Sequence, residues 1–129
     1  MGSRILIVED EQIIAEDLAM QIGRLGHQVL GISISGEEAV AMADRTKPEL
    51  VLMDIQLEGR MTGTEAAQVI RQRTGAAIVF VTAFPGVLLR ENSHLKEPSI
   101  CVNKPFSRTQ LEAALRAAAA SRQRPAESS

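Results

Sequence analysis

Aromatic residues and cysteine are scarce in this chain of 129 residues, which has no tryptophan, no tyrosine, three phenylalanines and one cysteine. A single cysteine cannot form an intramolecular disulfide, and its spacing from the two histidines does not fit a zinc site. No apolar run approaches the roughly 20 residues that a membrane-spanning helix requires. The net charge of −2 comes without a basic face, which argues against nucleic acid as a partner.

The amino terminus shows no targeting signal, since Met1 to Arg4 lead directly into an apolar strand pattern. We therefore expect a cytoplasmic protein without a membrane segment. The length and the hydrophobic fraction of 45% suit one domain with one core. We place that domain at residues 1–121. Residues 122–129 are polar and include Pro125, so we expect them to form a flexible carboxyl-terminal tail.

Short apolar runs alternate with amphipathic helical patterns along the chain. In the first helical pattern, apolar residues recur three or four positions apart from Ile14 to Leu25, and Gly26 ends the pattern. Runs that are apolar throughout are typical of parallel strands covered on both faces. The alternation predicts an α/β fold with a doubly wound, mostly parallel five-stranded sheet and right-handed crossovers. The predicted strands are Arg4–Val8, His27–Ile32, Glu49–Asp54, Ala76–Val81 and Ser99–Asn103.

Capping patterns mark the starts of the later helices. Between Phe84 and Pro98 the sequence predicts only a short or irregular fourth helix, because Asn92 and Ser93 are poor residues for a helix interior. The last helix is predicted to bury an apolar stripe that includes Leu111 and Leu115. The capping pairs are Ser35 with Glu38, Thr62 with Glu65, and Ser107 with Gln110.

Polar side chains stand at the carboxyl ends of four predicted strands, where open α/β sheets place their binding crevice. Each has an ordinary structural explanation, since an acid can cap a helix, a threonine can end a strand and a lysine can be solvated. Taken together they are better explained as one site, because they bring acids, a hydroxyl and an ammonium group to the same edge. The residues are Glu9, Asp10, Asp54, Thr82 and Lys104.

Phosphoryl transfer to a carboxylate is the chemistry that these groups share. Asp54 could act as a nucleophile and form an aspartyl phosphate. Because three acids close together repel one another, we expect a divalent cation among them, and oxygen-only ligands suit Mg²⁺. The cation, the hydroxyl group and the ammonium group would neutralise the oxygens of the transferring phosphoryl group.

This set of residues, in this order and spacing, resembles the response-regulator receiver domain of two-component signalling. The resemblance covers about Arg4 to Ala120 and rests on the motifs Glu9-Asp10, Asp54, Thr82-Ala83 and Lys104-Pro105-Phe106. It implies a flavodoxin-like fold with strand order 2-1-3-4-5 and five helices. It also implies a phosphorelay in which a histidine kinase or a phosphotransfer protein passes a phosphoryl group to the chain. The chain would then be no enzyme beyond the phosphorylation and dephosphorylation of its own aspartate.

The roles of single residues follow from the same resemblance. Thr82 and Lys104 would bind the phosphoryl group, and the Lys104–Pro105 bond would be cis. A downstream protein would bind the face formed by the fourth helix, the fifth strand and the last helix, without an attached output domain, and the chain could dimerise. Mg²⁺, or Mn²⁺ in its place, would be held by Glu9, Asp10, Asp54 and the backbone carbonyl of Gln56.

One departure from the family pattern concerns Cys101, which occupies the position where receivers usually carry a tyrosine or phenylalanine that moves on phosphorylation. We expect Cys101 to be a small buried hydrophobe, with a redox-sensing thiol as the alternative. Gln56, Ala83, Phe84 and Cys101 are the candidate residues for switching and for phosphoryl lifetime. The missing aromatic and the segment from Thr82 to Pro85 resemble an atypical single-domain receiver subfamily, as in alphaproteobacterial general-stress signalling.

Other functions compete with a phosphoacceptor. A pseudo-receiver would serve only as an interaction surface, and a phosphate sink would accept the group without passing on a signal. A flavodoxin-like nucleotide- or flavin-binding domain would need a glycine-rich loop after the first strand, where Glu9, Asp10 and Glu11 stand instead. A metal-dependent phosphatase would need a second aspartate two residues after the nucleophile, where the chain has Gln56.

Overall fold

The computed structural model describes residues 2–57, 59–83 and 100–123, of which residues 122 and 123 are described by their backbone alone. Five parallel strands form one sheet in the order β2-β1-β3-β4-β5, which confirms the predicted flavodoxin-like arrangement. The strands are β1 (Arg4–Val8), β2 (Gln28–Ser33), β3 (Leu50–Asp54), β4 (Ala77–Thr82) and β5 (Ile100–Asn103).

Four helices connect or follow these strands in the described part of the chain. They are α1 (Gln12–Arg24), α2 (Gly36–Thr46), α3 (Gly63–Thr74) and α4 (Arg108–Gln123). The fourth of the five predicted helices, between Phe84 and Pro98, lies outside the described residues. Helix α4 runs past residue 121, where we placed the domain boundary, and the rest of the predicted tail, 124–129, also lies outside.

The three central strands, β1, β3 and β4, bury both faces, so their side chains alternate between two apolar layers. On one side of the sheet, Ile5 and Ile7 of β1 pack with the buried stripes of α1 and α4. On the other side, Leu6 and Val8 pack with the small buried residues of α2 and α3. The predicted stripe of α4 is confirmed, because Leu111, Ala114, Leu115 and Ala118 are all buried.

The capping predictions hold for two helices and fail in part for the third. Thr62 and Glu65 form a complete capping box at the start of α3. Ser107 and Gln110 accept each other's backbone N–H groups in the same way, at 2.8 and 3.1 Å. At α2, Ser35 accepts from the Glu38 N–H, but the Glu38 carboxylate accepts from Ile34 rather than from Ser35. The Ser35–Glu38 pair therefore forms only one of the two bonds of a capping box, because the acid reaches one residue further back.

Among the described residues, no helix combines the length and the apolar character needed to cross a membrane. Helix α4, the longest of the four with 16 residues, carries charged side chains along its exposed face.

Candidate functional site

The carboxyl ends of β1, β3, β4 and β5 meet at one edge of the sheet, as the sequence predicts. They surround an open cleft of about 340 Å³. Residues from four separate strand ends and from the loop after β3 form its walls. The lining residues are Asp10, Glu11, Asp54, Gln56, Leu57, Thr82, Ala83 and Lys104.

Three acids cluster in this region. One carboxylate oxygen from each of Glu9, Asp10 and Asp54 lies within 4.8 Å of the others. Glu9 is 1% exposed and Asp54 is 6% exposed, whereas Asp10 is only partly buried. An all-oxygen set with one side open to the cleft fits a hard cation such as Mg²⁺, which keeps several waters. The donor set therefore suits the metal that the sequence predicts.

The ammonium group of Lys104 lies among these acids. Its Nζ atom is 2.7 Å from Glu9 Oε1 and 3.6 Å from Asp54 Oδ2. Burial alone would lower the pKa of Lys104, but the hydrogen bond from its ammonium group to Glu9 and the charge of Asp54 raise it, so the group stays protonated. Lys104 thus supplies a fixed positive charge beside the carboxylate of Asp54.

Glu9 has a strongly perturbed carboxyl group. Burial raises its pKa from 4.5 to about 7, Lys104 acts against this rise, and the neighbouring Asp54 adds to it. The Glu11 backbone N–H donates to Glu9 Oε2 at 3.2 Å, a weaker stabilisation of the charged form. Burial thus makes the carboxyl group of Glu9 easier to protonate than that of an exposed glutamate.

Asp54 ends the central strand β3, which is buried along its length. Its Oδ1 atom accepts a hydrogen bond from the Gln56 N–H at 3.2 Å. Helix α3 begins very close to this point, because a Cβ atom on Gly63 would lie only 2.1 Å from the Asp54 carbonyl oxygen. The Gly63 N–H also donates to the Ile55 carbonyl at 3.1 Å. A residue without a side chain is thus required where the helix passes the backbone of the site.

The ends of β4 and β5 are joined behind the cleft. Thr82 is 1% exposed, and its carbonyl accepts from the Lys104 N–H at 2.8 Å. The Lys104–Pro105 peptide bond is cis. The structure therefore brings all five predicted side chains to one edge of the sheet, while their chemical roles stay predictions.

The four candidate switch residues do not lie together at the cleft. Gln56 and Ala83 line the cleft, and Phe84 lies outside the described residues. Cys101 is exposed, so the expectation of a buried hydrophobe is wrong. The reason is the alternation along the edge strand β5, where Val102 faces the core and Cys101 projects from the other side. Partial desolvation raises the pKa of the Cys101 thiol, which disfavours the reactive thiolate of a redox sensor.

The sequence did not predict the contacts that two residues make near the site. Glu37, in the first turn of α2, accepts backbone N–H groups from Arg60 and Met61 in the loop after β3. Gly63 makes the close approach to Asp54. Neither contact follows a local spacing rule, although a glycine just inside a capping box was a visible signal for Gly63.

Comparison with known proteins gives a consistent picture. Residues 5–116 match the family model of the response regulator receiver domain. The chain is 35% identical over 116 residues to the phyllosphere-induced regulator PhyR of Methylorubrum extorquens, covering 89% of this chain and 43% of that protein. It is 38% identical over 108 residues to the transcriptional regulatory protein PdtaR of Mycobacterium tuberculosis, covering 84% and 52%. The chain thus spans about half the length of these curated relatives.

Solved structures agree in fold along nearly the whole chain. The receiver domain of the Erythrobacter litoralis PhyR response regulator superposes with a TM-score of 0.86 at 30% identity, covering 97% of this chain and 95% of that one. An anti-anti-sigma factor PhyR mutant from Bartonella quintana gives 0.84 at 36% identity, covering 97% and 51%. These PhyR relatives agree with the resemblance to atypical receivers. The chain belongs to the response regulator receiver domain family.

Proposed function

We propose that this receiver domain accepts a phosphoryl group on Asp54 from a histidine kinase or a phosphotransfer protein. An Asp54 carboxylate oxygen forms the new bond to phosphorus, while the bond from phosphorus to the donor's histidine nitrogen breaks. The donor imidazole leaves with the electron pair of that bond. The domain has no separate substrate to turn over, so its chemistry is limited to gaining and losing this one group.

The observation that carries the proposal is the setting of Asp54. Its carboxylate is nearly buried at the end of the central strand, yet it lines an open cleft large enough for a phosphoryl group. Lys104 Nζ stands 3.6 Å from Asp54 Oδ2, where it can neutralise charge on an incoming phosphoryl oxygen. Thr82 lines the same cleft from the end of β4.

Glu9, Asp10 and Asp54 would hold Mg²⁺, with the Gln56 carbonyl as a further ligand, and Mn²⁺ would serve in its place. When bound, the cation would neutralise phosphoryl oxygens and offset the repulsion among the acids. In the metal-free protein, the ammonium group of Lys104 offsets part of the negative charge of these acids.

The names of the relatives suggest how the signal would be read. One solved PhyR structure is described as a stress response regulator, and the Bartonella quintana proteins as anti-anti-sigma factors. For this chain we propose a protein partner that binds the face containing β5 and α4, with dimerisation as a second means of output. Cys101 is exposed on β5 three residues before Lys104, so a partner that binds along this strand would lie close to the cleft.

The test is incubation with acetyl phosphate and Mg²⁺, followed by mass spectrometry of the intact protein and of its peptides. We expect a phosphoryl adduct at Asp54 in the wild type and none in Asp54→Asn. Asp17→Asn, which removes an exposed carboxylate on α1, is the matched control and should be labelled normally. A wild type that stays unlabelled at every Mg²⁺ concentration would contradict the proposal and favour a pseudo-receiver.

A further inference from the structure

The loop between β3 and α3 is held at its outer end by a carboxylate from a different helix. Glu37 Oε1 accepts the Met61 N–H at 3.2 Å, and Glu37 Oε2 accepts the Arg60 N–H at 3.4 Å. These contacts join residues 23 and 24 positions apart in the chain. Successive backbone N–H groups facing one carboxylate form a small anion-binding concavity, and their bonds are charge-assisted.

The surrounding residues fit this contact closely. Gly59 has a φ of 102°, and a Cβ atom there would lie 2.9 Å from Glu37 Oε2. A Cβ atom on Gly36 would lie 3.0 Å from the Met61 Cβ, so the loop packs directly on the start of α2. The pKa of Glu37 is lowered by its own backbone hydrogen bond and by those from Arg60 and Met61, which keeps the carboxylate charged.

The inner end of the same loop contacts the site. The Gln56 N–H donates to Asp54 Oδ1 at 3.2 Å, and both Gln56 and Leu57 line the cleft. At its far end the loop enters the capping box at Thr62, and Gly63 is tied back to Ile55. The described parts of this loop, residues 55–57 and 59–62, are therefore held at the base by backbone bonds and at the outer end by Glu37.

The geometry points to Glu37 as a positioning residue that fixes the loop after β3 and thereby the Asp54 carboxylate for cation and phosphoryl binding. This inference rests on the proposed function. It gives a role in that function to a residue that neither lines the cleft nor belongs to the acid cluster. Because Glu37 is exposed, its bonds to the loop are screened by solvent and can open without unfolding the domain. The loop is thus held in place reversibly.

The experiment compares Glu37→Ala, Glu37→Asp and Glu37→Gln in the full chain. Glu37→Asp keeps the charge but shortens the side chain by one methylene, so a carboxylate already 3.2–3.4 Å from its donors no longer reaches them. Glu37→Gln keeps the length and one acceptor oxygen without the charge. Glu16→Gln removes an exposed carboxylate elsewhere on the surface and serves as the control for net charge.

Two readouts are taken on protein without any phosphodonor: amide hydrogen exchange at Arg60, Met61 and Gln56, and Mg²⁺ affinity by calorimetric titration. We expect Glu37→Ala and Glu37→Asp to speed exchange at these amides and to weaken Mg²⁺ binding about threefold to tenfold, below the usual effect of outer-shell partners. In both readouts the values for Glu37→Gln should lie between those of the other two Glu37 variants and the wild type. The values for Glu16→Gln should match the wild type.

Two results would overturn the inference. If Glu37→Asp bound Mg²⁺ like the wild type while Glu37→Ala did not, long-range charge rather than positioning would explain the effect. If all three variants exchanged faster at Arg60 and Met61 but kept the wild-type Mg²⁺ affinity, the loop contact would not reach the site. Failure of the wild type to become phosphorylated would count against the proposed function alone, since both readouts are independent of phosphorylation.

Discussion

Lys104 Nζ lies 2.7 Å from Glu9 Oε1 but 3.6 Å from Asp54 Oδ2, so the lysine of the cleft is bound more closely to the buried glutamate than to the proposed phosphoacceptor. Side-chain exposure is 15% for Lys104 and 1% for Glu9. Removing one partner of such a pair leaves the other charge buried without compensation. The resulting loss of stability is larger than the net stabilisation that the intact pair provides.

We predict that Lys104→Gln destabilises the metal-free protein by about 3 kcal/mol at pH 8 and by clearly less at pH 6. Glu9 has a folded-state pKa near 7, above its ordinary 4.5, so its stabilising contribution is greatest below pH 4.5 and is lost as the pH rises through 7. Without Lys104 the pKa of Glu9 rises further, so at pH 6 its carboxyl group is neutral and does not require a positive charge beside it. Urea unfolding at both pH values measures the difference.

Arg45→Gln, which removes an exposed positive charge on α2, is the control and should leave the unfolding free energy nearly unchanged at both pH values. An equal loss of stability at pH 6 and pH 8 in Lys104→Gln would show that the change is one of packing rather than of charge.

Mg²⁺ should stabilise the fold, because under the proposed function it binds the folded acid cluster and not the unfolded chain. At ten times its dissociation constant the gain is about 1.4 kcal/mol. Asp10→Asn removes one of the clustered carboxylates and should lose most of this gain, whereas Asp17→Asn should retain it. Thermal unfolding with increasing MgCl₂, against NaCl of equal ionic strength, measures the effect. A midpoint that rose equally with both salts would argue against a specific site.

Gly63→Ala should destabilise the domain by about 3 kcal/mol, because the new Cβ meets backbone atoms that cannot move aside easily. The Asp54 carbonyl oxygen would be 2.1 Å away and the Ile55 Cα 2.8 Å. Gly23→Ala is the matched control, since it also lies within a helix but has nothing within 4 Å of the added carbon. That variant should be unchanged or more stable by up to about 1 kcal/mol. Similar stabilities for the two variants would refute the steric explanation.

His27 should make the domain less stable as the pH falls below neutral. Its Nδ1 accepts the Ser3 N–H at 2.9 Å, which requires the neutral ring, and burial lowers the pKa of His27, with the charge of Glu112 opposing this. A lowered folded-state pKa means that the stabilisation is present above about pH 6.5 and is lost as the pH falls through the folded-state value. His27→Asn keeps an acceptor oxygen near the Nδ1 position but does not titrate.

The measurement is the unfolding free energy from pH 7.5 to 5.0 in both proteins. We expect the difference between wild type and His27→Asn to change over this range, with the wild type losing relatively more at low pH. Parallel pH profiles would mean that the Ser3–His27 contact is not what titrates.

The sheet was predictable because each strand has its own local signal. The third strand was predicted at Glu49–Asp54 from an apolar run that ends in a charge, and the buried strand β3 begins one residue later, at Leu50, and ends at the same aspartate. The order of the strands and the meeting of Glu9, Asp54 and Lys104 at one edge depended on the family resemblance as well as on the periodicity.

The details that failed depend on exposure and on distance along the chain. The sequence predicts Cys101 to be a small buried residue, but Cys101 lies on the exposed face of the edge strand β5. No local pattern in the sequence shows which face of that strand is buried. Glu38 has the correct spacing for a reciprocal cap but binds Ile34 instead. Glu37 could not be found because its partners lie 23 and 24 positions away, beyond any rule of helical spacing.

The ion pair between Glu9 and Lys104 joins residues 95 positions apart. During synthesis the strands that carry Glu9 and Asp54 leave the ribosome long before the strand that precedes Lys104. Until that last strand is added beside β4, the acids of the cleft lack the ammonium group of Lys104 that offsets their charge. The cleft is therefore complete only when nearly the whole domain has been synthesised and folded.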